Sequence, residues 1–140
     1  MLASVGQPLK AGGLTATLNA IAPSGTPSAD EAQSSSAMFI LAANPMLSTY
    51  PWLKASWTIT NSGGQNDGAA FTPYLVTGAG ILHPEELSSF LNCCSVGPGQ
   101  SKSVPSFWAM QSGETTGPAY VVLLAVRNDG TSVTAVWKAR

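Results

Sequence analysis

Apolar and polar residues alternate along this chain with a period of two, and no long stretch shows the three-to-four spacing of an amphipathic helix. That pattern predicts an all-β protein. Leu14, Ala16 and Leu18 alternate with Thr15, Thr17 and Asn19, a first half-buried strand that ends where Pro and Gly break the pattern in "APSGTPS". The next segment, "SADEAQSSS", reads either as a short helix capped by Ser28 or as a loop. "AMFILAAN" is a compact apolar run ending at Asn44-Pro45, and its shortness predicts a second, buried strand. "PMLSTYPWLK" has no regular period and reads as a packed connection or edge segment.

Ala55, Trp57 and Ile59 alternate with Ser56, Thr58 and Thr60, which predicts a strand with one buried face. "SGGQNDG" follows as a turn, and "AAFTPYLVTG" as the next strand, with Pro73 placing it at an edge or a bulge. In "HPEELSSFLN", Pro84 suits a first helical position, Glu85 and Glu86 complement the helix dipole, and Leu87, Phe90 and Leu91 share a face. A short helix is predicted near residues 84–92. A turn at Gly97-Pro98-Gly99 leads to a strand from Ser103 to Met110. Tyr120 to Val126, apolar on both sides, and Val133 to Lys138 form a hairpin across Asn128-Asp129-Gly130. The total is about seven strands in one domain, the number expected of an immunoglobulin-like β-sandwich. Residues 1–12 and 24–36 are expected to be extended arms or loops.

Composition narrows the roles. Only 9% of the 140 residues are charged and the formal net charge is −1, against about 25% charged residues in ordinary soluble domains. The six Lys and Arg residues are scattered singly, so no basic stripe tracks a phosphate backbone and nucleic-acid binding is not expected. No apolar run reaches the roughly 20 residues a helix needs to cross a bilayer. The amino terminus lacks the pattern of a secretory signal, so export is not indicated.

From Ala55 onward the chain resembles bacterial immunoglobulin-like modules of the CARDB, or cell-adhesion-related, type. The resemblance spans residues 55–138. It is carried by Trp57, Ile59, Asn61 and Gly63 in the strand and turn "SWTITNSGG", by Pro98, Gly99 and Ser101 in "PGQS", and by Gly117, Tyr120, Val122 and Val126 before the last hairpin. It implies an immunoglobulin-like fold. The family often has calcium-binding acidic and asparagine residues after the position of Asp129, and "GTSVTAVWKAR" has none, so no such metal site is expected.

Catalytic chemistry has little to work with: one His, two Cys and seven carboxylates. His83, Glu85, Glu86, Cys93 and Cys94 fall within twelve residues, which suggests a thiolate–imidazole pair, but a histidine at a helix start and small buried thiols explain them better. Zinc lacks a fourth ligand, and Asp67-Gly68 and Asp129-Gly130 read as turns. No cofactor, metal or enzymatic activity is expected. Of the four tryptophans, Trp57 and Trp137 alternate as core residues should. Trp52 and Trp108 lie beside prolines in irregular segments and, with Tyr50 and Phe90, are the candidate partner-contact residues.

These observations favour a structural protein that associates with itself or with other protein subunits. The leading expectation is a bacteriophage virion component, such as a capsid decoration protein, assembled in the host cytoplasm. The alternative is a glycan- or protein-binding adhesion module of a secreted or cell-surface protein.

Overall fold

The computed structural model describes residues 1–32, 37–88, 95–110, 117–127 and 129–139. The alternating segments pair into two sheets, and the protein is all-β in class, as its periodicity predicts. The first sheet has the order β1 (Leu2–Ser4), β11 (Ser132–Lys138), β10 (Pro118–Arg127), β5 (Asp67–Thr77), β6 (Leu82–Pro84), with β8 (Ser95–Val96) paired to the start of β5. The second runs β2 (Pro8–Ala11), β3 (Leu14–Ser24), β4 (Trp52–Asn61), β9 (Ser101–Ala109), β7 (Leu87–Ser88). All ladders are antiparallel except β1 on β11.

The strand segments number eleven among the described residues, more than the seven expected, because short edge strands carry too few residues to show a period. Residues 1–12 are not free arms. Leu2 to Ser4 pair with Val136 to Lys138, and Pro8 to Ala11 pair with Leu14 to Thr17. The last hairpin closes as expected, with Val122 opposite Val136 and Val126 opposite Ser132. Pro73 sits where proline is tolerated: β6 pairs only from Tyr74 onward, so the missing N–H costs that ladder nothing.

The main core lies between the sheets. Leu18, Trp57 and Ile59 on one side meet Leu75, Val121, Leu123 and Trp137 on the other, all essentially inaccessible to water. The rings of Trp57 and Trp137 meet edge to face across the interlayer, with centroids 5.2 Å apart. These alternate positions follow from the strand period. One face of each strand turns inward, and each buried Leu, Ile or Trp contributes about 1.5–3 kcal/mol relative to exposure.

Two predicted elements differ. Residues 37–44 do not form a strand. Ala37–Ala43 is a helix, here α2, following α1 (Ala29–Ala32) and leading into a 3-10 turn at Pro45–Thr49. Periodicity in a run this short does not separate strand from helix. What decides is tertiary: Ile40, Leu41, Leu47 and Tyr50 pack on Trp52, Phe107 and Ala109, forming a second small core on the outer face of the second sheet. The expected cap of α1 is present, the Glu31 N–H donating to Ser28 Oγ at 3.1 Å.

The helix expected near residues 84–92 is absent over its described part. Leu82–Pro84 pairs with β5 in one sheet, and Leu87–Ser88 pairs with β9 in the other. Between them the Glu86 N–H donates to the Phe107 carbonyl at 3.0 Å. Backbone groups that a helix would join to one another are used in two ladders instead. Phe90, Cys93 and Cys94 lie outside the described residues.

Candidate interaction surfaces

The turn "SGGQNDG" is organised by Asn61, the last residue of β4, which is fully buried. Its side-chain amide donates to the Gln65 carbonyl at 2.7 Å and the Val96 carbonyl at 2.8 Å, and its Oδ1 accepts the Gly63 N–H at 2.8 Å. Its backbone carbonyl accepts the Gly99 N–H, and its own N–H donates to Gln100. A Cβ on Gly63 would stand 3.2 Å from that Oδ1, so glycine keeps the contact short. Asp67, read in the sequence as part of the turn, is instead the first residue of β5 and accepts from Arg127 Nη2 at 2.8 Å, tying the end of the turn to β10. The segment is a connector whose residues are spent on its own geometry.

The tryptophans expected at a contact surface are buried. Trp52 is 1% and Trp108 0% exposed, and neither presents a ring to solvent. Trp52 donates its indole N–H to the Leu47 carbonyl at 2.9 Å, and Trp108 donates to the His83 carbonyl at 3.1 Å. Trp57 donates to Ser106 Oγ and Trp137 to the Gln7 carbonyl. All four indoles therefore find partners indoors, the condition for burying them without penalty. Proline neighbours signalled irregular backbone at Trp52 and Trp108, yet both lie in regular strands. Tyr50 is half-buried against the second core.

His83 lies in β6 opposite Leu75. Burial raises the Glu86 carboxyl above its usual range, and the nearby His83 charge partly offsets this. Among the described residues no three His, Cys, Asp or Glu side chains come together as a metal set. No described helix is long and apolar enough to cross a membrane. Between the sheets, near Leu9, Phe71 and Ala125, lies an apolar cavity of about 30 Å³, the scale of one water molecule.

The outer faces of the two sheets are the broad surfaces that remain. In the first sheet the register lines Leu2, Val136, Val122, Tyr74 and Pro84 into one row across five strands. The next row holds Ser4, Lys138, Tyr120, Val76 and Leu82, and two shorter rows set Leu124 between Thr134 and Thr72 and Val126 between Ser132 and Ala70. Because successive side chains alternate sides, all of these point away from the core. Leu2 is 68%, Leu82 57%, Val126 41% and Tyr120 40% exposed. Lys138 is the single charged side chain in these rows. Tyr120 to Val126 reads in sequence like a strand covered on both faces. It is central in its sheet but open on one side, and that double-sided apolarity was the signal for this surface.

On the second sheet, the outer rows are hydroxyl-bearing: Thr15, Thr60 and Ser101 in one, Thr17, Thr58 and Ser103 in the next. Thr60 and Ser101 share a hydrogen bond of 2.8 Å, and Asn19, at the bulge in β3, donates to Thr58 Oγ1 at 2.8 Å. At its far end this face turns apolar at Trp52 and Phe107, where α2 covers it.

No protein-family model matches the chain, and no curated protein matches its sequence. Among solved structures, the yjhA protein from Bacillus subtilis is similar over 97% of this chain and 99% of its own length, with a TM-score of 0.55 and 12% identity. At that identity the likeness is one of fold. An alkylpurine DNA glycosylase, AlkC of Pseudomonas fluorescens, overlaps 64% of this chain and 25% of its own, at 14% identity and a TM-score of 0.34, too little to carry an argument.

Proposed function

We propose that this chain is a non-catalytic assembly protein, an immunoglobulin-like β-sandwich that binds protein subunits through the outer face of its first sheet. The observation that carries this reading is the row Leu2, Val136, Val122, Tyr74 and Pro84, with Tyr120, Val76 and Leu82 in the row beside it. Contiguous apolar surface of this kind marks interaction sites in soluble domains. A surface so poor in charge suits packing in a regular particle, and the setting we propose is the bacteriophage virion, as a capsid decoration or other particle-surface protein. The rival, a glycan- or protein-binding adhesion module, would have to bind through its loops without Trp52 and Trp108, which are both buried.

The test is co-sedimentation of purified protein with phage particles made from the genome that encodes it. Saturable binding that is lost in Val122→Lys supports the reading. Protein that neither binds particles nor associates with itself overturns it.

A further inference from the structure

We infer that the outer face of the first sheet is occupied by a second copy of this chain, packed face to face about a two-fold axis. The inference rests on the assembly reading above and names the partner. Its first support is how the chain treats its other outward-facing apolar residues. On the second sheet, Trp52 and Phe107 point outward and are covered by Ile40, Leu41 and Leu47 of the chain itself. The described helices pack on that side, and among the described residues the outer face of the first sheet is left available to another molecule.

Charge selects the kind of molecule. Partners chosen by electrostatic complementarity present charges to match, and these rows offer Lys138 alone. Homodimer interfaces are the more apolar class, with charge depleted at the centre. In a two-fold contact the patch must be complementary to itself, residue i meeting j as j meets i, and a largely apolar face can meet that condition. An axis crossing the strands between Val122 and Leu124 sets Val122 over Leu124 and Tyr120 over Val126 of the other copy. It also keeps the two Lys138 ammonium groups apart at opposite ends, each over Ser132. Strands about 4.8 Å apart and outward positions about 6.8 Å apart give roughly 500 Å² of flat projection per copy. Side-chain relief raises the accessible area above that projection, toward the roughly 800 Å² per partner of a stable interface.

The experiment is analytical ultracentrifugation of the full chain from about 1 to 500 μM, with Val122→Lys, Leu124→Lys and, as a control on the other sheet, Thr58→Lys. Wild type and Thr58→Lys are expected to sediment at twice the monomer mass. The two first-sheet variants should be monomers of unchanged circular dichroism, their association weakened at least 100-fold. Carbene footprinting of the wild type needs no variant: labelling at Tyr120 and Leu124 should fall as concentration rises. A wild type that stays monomeric, a dimer indifferent to Val122→Lys, or labelling independent of concentration overturns the second copy. Particle binding that still depends on Val122 would then leave the assembly reading standing, and its absence would remove both.

Discussion

The outer faces of the two sheets are built on the same strand period and meet water in opposite ways. The second sheet sets Thr and Ser in register, and their hydroxyls bond to one another and to solvent, as Thr60 does with Ser101. Where that face becomes apolar, at Trp52 and Phe107, the chain folds a helix over it. The first sheet sets Val, Leu and Tyr in register and leaves Tyr120 and Leu82 exposed. Apolar outer surface is thus covered by the chain itself at Trp52 and Phe107 and left open at Tyr120 and Leu82.

The largest break in that contrast should come from Trp52→Ala. It removes the residue on which α2 rests and empties a fully packed site, at a cost of about 3–5 kcal/mol, read as a lower midpoint in urea unfolding. Val122→Lys, at an outward position of the other sheet, should change monomer stability by only about 1 kcal/mol or less while abolishing association. Equal destabilisation by both would mean the two faces are not treated differently.

Asn61→Ala is expected to cost about 2–4 kcal/mol, since it strands the carbonyls of Gln65 and Val96 and the Gly63 N–H. It should loosen both faces together, visible as faster amide exchange at Gly63 and Gly99. Arg127→Met, which breaks a partly exposed pair with Asp67, should cost about 1 kcal/mol or less and leave dimerisation intact. A larger loss would show that the pair anchors the first sheet.

The smallest effect concerns pH. Glu86 has its carboxyl raised above the usual 4.5 in the folded protein, so the folded state holds that proton more tightly than the unfolded state. Its contribution is fully present below the unfolded value and is lost as pH rises through the folded value. Stability should therefore decline slightly above pH 4.5, and Glu86→Gln should flatten the decline in thermal melts. An unchanged slope would show that burial at the crossing between the sheets does not perturb this carboxyl.

Much of the architecture was legible in the pattern. The alternation at Ala55 to Thr60 and at Val133 to Lys138 marked β4 and β11, and the apolar run Tyr120 to Val126 marked β10. The capping serine before α1 was legible only as one of two readings, the other being a loop. Elements without a period of their own were not: β1, β6 and β7 exist because neighbouring strands offer hydrogen bonds at their edges. "HPEELSS" carries helix-start signals worth tenths of a kcal/mol each, and two existing ladders outcompete them. Of the site, the sequence supplied the apolar residues of β10 but assigned them to the core.

Sequence by itself determined the class of this protein, its closing hairpin and the place of the turn after β4, because each depends on alternation or on turn chemistry within a few residues. Tertiary structure alone decided which apolar residues are spent indoors. Trp52 is buried because a helix covers it, and Trp108 because it faces the other sheet in the main core. Tyr120 stays exposed and Val122 half-buried because the described chain covers only the other face of their sheet. Burial is a property of what lies opposite a residue, and that is set by residues distant along the chain.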